Sequence, residues 1–506
     1  MNNTVKLIIF TVIAIIMAIY VGMGIATSQF QTALQVLGVG VILICIVLGR
    51  NIWMLIPFTF AIGLNLSIPG NPSTLLLGQV LFVGFGCMIF AMRSSLFHFR
   101  LTEIELLMGL LTVMVVQVYV RNPVGFSIFG TESIGGKAYI IYGITLLCAI
   151  LLSGIKILPK DLKHFVKITI IGGVINFIIG VIGYFVPIVA MYTGNFHQKS
   201  AELEFHYYDP NAATRMEFIR NTGPNIALWV SSFVNPLKAC FKILWAPLIL
   251  FSFAAAGLSG YRNVVVTVGL TYLIGICYRG GIKSLLASLM LLVLTLTSLT
   301  VINMAVPLPA NIQRSLSWLP GSWEEQYVDD AEESTNWRIE IWEEVLLTDN
   351  WIENKILGDG LGYTATELAR QQNFRTYVGG MGLSGFDLHR ETILVNGDYH
   401  SGPVSAIRVI GYVGLALMLF MMLRLCVHTH RLIKRCRNTE WFPLALMVGI
   451  PLIVFPIFFI FVYGSFQDDA ATLLLGCGLI RMLENNIPYP RPEGESSDSE
   501  EEPVLL

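Results

Sequence analysis

The segment Ser322-Trp-Glu-Glu-Gln-Tyr-Val-Asp-Asp-Ala-Glu-Glu-Ser-Thr-Asn-Trp-Arg-Ile-Glu-Ile-Trp342 is dense in carboxylates and contains no run able to enter a bilayer. It lies in a longer polar stretch, from about Met304 to Ser401, that also lacks a membrane-grade apolar run. Almost everything around that stretch is lipid-compatible. Of 506 residues, 55% are hydrophobic and only 13% charged, with a mean hydropathy of +0.68, whereas a soluble domain carries about 25% charged residues. The chain therefore reads as an integral membrane protein with one large polar excursion, where aqueous chemistry is expected.

A helix needs about 20 apolar residues to cross the hydrocarbon, and about 17 suffice. Runs that meet or approach this length fall at 7–25, 31–49, 51–67, 74–92, 104–120, 138–154, 166–191, 225–241, 243–258, 263–277, 283–302, 403–424, 442–463 and 467–483. The fold class is thus an all-α polytopic membrane protein with about 12–14 transmembrane helices and one large external loop. Basic residues orient it. Arg50, Arg93 with Arg100, Lys156 to Lys167, Lys238 with Lys242, Arg279 with Lys283, and the 428–437 cluster all fall on one side when the N-terminus is inside, as the positive-inside bias requires. The polar segments 193–223 and 304–401 then share the outside.

Five regions follow: N-terminal spans at 1–192, a central region at 193–302, the loop domain at 303–402, C-terminal spans at 403–484, and a tail at 485–506. The tail, rich in Pro, Glu and Ser, is too polar to bury a core and is expected to be disordered inside the cell. No basic face or aromatic-basic module suggests nucleic acid. The cysteines lie in or beside apolar runs and none falls in the loop, so neither a disulfide scaffold nor a cysteine metal site is expected there.

Arg220, Arg262 and Arg338 face outward, against the positive-inside bias. Snorkelling to lipid phosphates is the plain explanation for any one of them. Converging on one cleft, they would instead suit a diphosphate, because guanidinium pairs bidentately with phosphate oxygens and stays charged. Arg338 and Trp342 stand four residues apart, on one helical face. A helix over 336–347 would bury Trp337, Ile341 and Val345 as a stripe. His389 sits among charged neighbours and reads as solvated surface, whereas His400 sits where the chain re-enters the membrane. There an imidazole can act as interface anchor or helix cap, or move a proton near neutrality. Gly358-Asp-Gly-Leu-Gly362 has no βαβ context and is not a dinucleotide fingerprint; Gly358, Gly360 and Gly362 are expected to give positive φ or close backbone approach.

The order of these features resembles the bacterial O-antigen ligase and O-antigen polymerase family. Arg220-Asn-Thr-Gly-Pro-Asn225 follows a mid-chain outer segment; Ser259-Gly-Tyr-Arg262 is similar to the family's Thr-Gly-Ser-Arg hairpin. Arg338 to Trp342, the 358–362 glycines, His400, and Gly411-Tyr-Val-Gly414 then come in sequence. The likeness covers mainly residues 215–424, and His400-Ser401 stands where the family often has His-Asn. It implies metal-independent transfer, without a cofactor, of a glycan from undecaprenyl diphosphate at the outer face of the inner membrane. The acceptor would be lipid A-core sugar in a ligase or another lipid-linked glycan in a polymerase. Arg220, Arg262 and Arg338 would hold the diphosphate and His400 would activate the acceptor hydroxyl, with Trp342 and the glycines supporting the loop. A lipid-linked oligosaccharide flippase and a non-catalytic envelope assembly partner are the rival readings; sparse charge within the spans speaks against transport.

Overall fold

Apolar runs bounded by capping residues build the helices. The computed structural model describes residues 40–66, 71–124, 136–186, 189–190, 193, 216–378, 386–397 and 399–488, without the side chains of 330, 331, 333–335, 375–378 and 386–389. In chain order the principal helices are α1 (Gly40–Ile62), α2 (Thr74–Met92), α3 (Glu103–Arg121), α4 (Lys137–Gly154) and α5 (Pro159–Phe185). Next come α6 (Thr222–Phe233), α7 (Ala246–Leu258), α8 (Arg262–Ala305), α9 (Ala310–Leu316) and α10 (Glu325–Leu347). The series ends with α11 (Ala365–Val378), α12 (Phe386–Asn396), α13 (Gly402–Cys436), α14 (Phe442–Phe461) and α15 (Phe466–Asn486). Ser73, Ser401 and Ser465 cap α2, α13 and α15 through their hydroxyls, and Thr102 with Glu105 forms a capping box on α3.

Among the described residues, 8 helices are long and apolar enough to cross a membrane, where 12–14 spans were expected; α8, counted once, covers two of the expected spans. The expected span at 7–25 and the first part of 31–49 lie outside the described residues. The helical path of α1 breaks at Gly49 (φ 51°) and Asn51, and Arg50 at this break pairs with Asp161 at the basic end, so the break falls where the expected spans 31–49 and 51–67 meet. The expected span at 225–241 is broken instead: α6 stops at Phe233, and Asn235 caps a separate turn beginning at Pro236. The 13 residues of α7 reach about 20 Å at 1.5 Å each, short of the roughly 30 Å hydrocarbon thickness. At 21 residues α15 is long enough, but Asp468, Asp469, Arg481 and Glu484 make it too polar to count.

The 44 residues of α8 would extend about 66 Å if straight. Its start and the segment after its end nevertheless meet, since Arg262 Nε donates to the Arg314 carbonyl at 3.1 Å. Arg314 is nine positions after Ala305, at most about 32 Å of extended chain. The helix must therefore fold back, and it does so at Gly281, whose φ of 72° costs an L side chain energy but a glycine little. At this apex the Arg279 guanidinium donates to the Ser231 and Ser232 carbonyls and lies 5.0 Å from the centre of the Phe442 ring.

The two ends of the bundle differ in character. Polar donors at the C-terminus of α3, Gln117, Arg121 and Asn122, hold the carbonyls of Leu357, Gly358 and Asp359, fixing the large loop there. Basic residues gather at the opposite end, where Arg50 pairs with Asp161 at 3.1 Å and Lys163 with Glu440 at 2.7 Å. Between the ends lie two apolar clusters: in the larger, α15 packs on α4 with Leu152, Leu473, Leu474 and Ile480 fully buried, and in the smaller, α6, α7 and α8 meet around Ala227, Val230 and Val268.

Candidate functional site

The α10 stripe organises the loop domain. Trp337, Ile341 and Val345 recur every four residues and are all buried, with Ile352, Ile393, Leu394 and Tyr399 against them. The same cluster takes in Val404 and Ile407 from the first turns of α13, so the loop domain and the membrane helix share a core. Glu344 ties α10 to α12, accepting from Arg390 at 2.5 Å and from Trp351 Nε1 at 2.8 Å.

This packing brings two of the expected site residues together. His400 precedes Ser401, the residue that caps α13, so the imidazole itself is not the cap. Its backbone is left-handed, φ 50°, a conformation that is uncommon without glycine. The ring stands between Trp337, edge-on at 5.8 Å, and Tyr463, at 5.3 Å. Arg338 shares that tryptophan, its guanidinium carbon 5.5 Å from the ring centre. Trp342 donates its indole N–H to the Tyr399 carbonyl at 2.8 Å, which fixes the residue immediately before His400. Burial pushes the Tyr399 phenol above its usual range, so it remains protonated at neutral pH. The side chain of His389 lies outside the described residues.

Arg220 and Arg262 form a second pair. The Arg220 guanidinium stacks over Tyr261 at 4.8 Å and lies 3.8 Å from Glu217; Arg262, the next residue after Tyr261, holds the Arg314 carbonyl. The contacts described thus gather the candidates as two pairs, one around Tyr261 and one around Trp337, on the same end of the bundle.

The 358–362 turn braces the site from below. The Asp359 and Gly360 N–H groups donate to the Arg408 and Val409 carbonyls, and Tyr412 and Val413 donate to Lys355 and Ile356. These bonds occupy the gap that α13 opens at Gly411, where φ is 71°. Gly358 (φ 82°) faces the Val409 carbonyl, and any Cβ there or at Gly411 would collide with backbone. Gly360 also has positive φ and Gly362 lies against Val124. The Asp359 carboxylate accepts from the Glu353 and Asn354 N–H groups at 2.7 and 2.9 Å; burial nonetheless raises its pKa above the ordinary carboxylate value. Gly411→Ala is expected to destabilise the protein by at least about 2 kcal/mol, because positive-φ strain adds to a collision of the new Cβ with the Ile356 carbonyl, measured as a lower midpoint of unfolding in detergent, with backbone exchange rising at 355–360.

Two charged residues near this site were not singled out from sequence. Arg408 is buried within α13 and forms an ion pair with Glu367 of α11, with Nε and Nη2 each 3.0 Å from Oε1. Gly397, three residues before His400, leaves the room that this guanidinium fills. A lone arginine in the first turns of the 403–424 apolar run is the signal that could have found it, because charge in such a run calls for a partner. Asp469 is buried, and its Oδ2 has no hydrogen-bond partner among the described residues. A Cβ on Gly464 would strike both this carboxylate and the Gly402 backbone, so Asp469 lies beside the two backbone segments carrying His400 and Tyr463. Among the described residues no group of three or more His, Cys, Asp or Glu side chains is arranged to hold a metal ion. What the arrangement offers is an imidazole, guanidinium groups and aromatic faces where the loop domain meets α13. No protein-family model matches the chain, and no curated protein matches it.

Proposed function

We propose that the chain transfers a glycan from undecaprenyl diphosphate to an acceptor hydroxyl at the outer face of a bacterial inner membrane, as an O-antigen ligase-like enzyme with a GT-C-like arrangement of helices. The observation that carries this reading is His400, held at positive φ between Trp337 and Tyr463 where the loop domain meets α13, with Arg338 on the same tryptophan. In the reaction proposed, His400 accepts the proton of the acceptor hydroxyl as its oxygen bonds to the anomeric carbon. The bond from that carbon to the diphosphate oxygen breaks and its electron pair leaves on the diphosphate. Arginine, placed beforehand, stabilises that developing charge. The aromatic faces suit sugar rings and exclude water from the carbon under attack. Lipid A-core sugar is the acceptor favoured, and extension of a second lipid-linked glycan is the polymerase variant of the same chemistry.

Arg338→Lys separates this role from lipid anchoring. Lysine keeps the charge and snorkels nearly as well, but lacks the planar fork that grips two phosphate oxygens. Loss of such a contact costs about 1.5–3 kcal/mol, or one to two decades in rate. Transfer from an undecaprenyl-diphosphate donor by purified Arg338→Lys is therefore expected to fall about tenfold or more. Activity near wild type would remove Arg338 from the diphosphate site.

A further inference from the structure

At the basic end of the bundle, opposite the loop, a cavity of about 610 Å³ opens among the C-terminal ends of α4, α13 and α15 and the segment joining α2 to α3. We propose that it binds the phosphate headgroup of an anionic phospholipid from the leaflet at that end.

The charges here fall into two sets. An inner set is closed on itself: Glu103 takes Arg424 at 2.6 Å and His428 at 2.5 Å, Glu484 takes His428 at 2.8 Å and Arg481 at 2.6 Å, and Glu105 takes Arg481 at 2.9 Å. Glu484 is the one carboxylate lining the cavity, and it is already committed to that set. The outer set is cationic and meets neutral partners. Arg100 Nε donates to His98 Nε2 at 3.1 Å, and Lys156 Nζ donates to the Ser95 carbonyl at 3.0 Å. Arg431 lines the cavity from an exposed position and makes no ion pair among the described residues. Hydrogen bonds to neutral groups leave these positive charges uncompensated, so the cavity is built to accept an anion. Guanidinium and ammonium groups placed this way match phosphate oxygens.

The surroundings select a lipid over a soluble anion. Arg100 is flanked by Phe99, 45% exposed, and Leu101, 88% exposed, and Met92 nearby is 74% exposed. The rings of Phe90, Phe97 and Phe99 cluster at centroid distances of 5.5 to 5.9 Å, as aromatic side chains do at a membrane interface. An acyl chain can lie on these apolar side chains while its phosphate reaches Arg100 and Arg431. Basic pockets between helix ends on this side of a membrane recognise anionic headgroups in this manner.

The test uses the full-length chain in neutral detergent, with bound lipid counted by native mass spectrometry after addition of phosphatidylglycerol or phosphatidylcholine. The wild-type chain is expected to retain phosphatidylglycerol selectively. Arg100→Gln combined with Arg431→Gln should lower that retention about thirtyfold, given roughly 1 kcal/mol for each basic residue near the surface. Both side chains are exposed and outside the inner ion-pair set, so elution volume and unfolding midpoint should not move. Arg93→Gln, an exposed arginine at the same end that does not line the cavity, should leave retention unchanged. Equal retention by the double variant would overturn the proposal. So would displacement of the lipid by millimolar inorganic phosphate, which would mark a soluble-anion site. Binding of phosphatidylglycerol only after removal of residues 491–506 would overturn it too, by giving the cavity to the acidic tail.

Discussion

Replacing His400 by Asn should lower glycan transfer by about 10²–10⁴, the usual contribution of a positioned general base, while membrane abundance stays at the wild-type level. Asparagine is the informative substitution because the position is left-handed, with φ 50°. Alanine there would add roughly 1–2 kcal/mol of backbone strain, and lost activity could then be lost folding. Asparagine tolerates this conformation, keeps a polar side chain, and cannot take up a proton near neutrality. The neighbouring rings, Trp337 and Tyr463, remain in place, so lipid-linked donor should still bind and the loss should appear in kcat more than in KM. His389→Ala serves as the comparison and should be mild. Transfer by His400→Asn within a few-fold of wild type, or a larger loss from His389→Ala, would show that the base has been misassigned.

What could be read from sequence depended on the range over which the deciding interaction acts. The membrane class, the α10 stripe and the glycine-rich turn are local properties, set by composition, by helical period or by backbone freedom at single residues. Trp337, Ile341 and Val345 therefore point inward as their spacing requires. The reversal of α8 was legible too, since Arg279 and Lys283 interrupt an apolar run too long for one crossing. The break after Phe233 was less so: its cause is Asn235-Pro236 in the middle of an otherwise apolar window, and a hydropathy average passes over it. Pairwise recognition across long sequence separations lay out of reach. The apolar run around Arg408 announces that it needs a partner, but nothing local names Glu367, 41 positions away, and the link between Tyr463 and His400 is of the same kind. Sequence order suggested that the arginines and His400 share one side; which of them touch a common aromatic ring is set only by the folded chain.

The buried Arg408–Glu367 pair is where the loop domain and α13 are expected to be most strongly coupled. Arg408→Met removes the cation and leaves a carboxylate buried beside apolar surface, a change that costs about 3–5 kcal/mol when one partner of such a pair is lost. Glu367→Gln is the matching change, chosen because Glu367 also accepts the Thr364 N–H at 2.8 Å, a bond that glutamine preserves. On its own it leaves the guanidinium without its counter-charge and should also destabilise. Together the two substitutions remove both charges, so the double variant should recover a large part of either loss, giving a coupling energy of at least about 2 kcal/mol. Unfolding of the purified variants in detergent supplies the cycle. Backbone exchange adds a local readout, because Asp359 and Gly360 bond to the Arg408 and Val409 carbonyls and should lose protection with either single change. If the single effects simply add, the pair is two separate packing contacts. If they couple, the ion pair is the fastening that holds the His400 segment against α13, and transfer should fall in the single variants and recover with stability in the double.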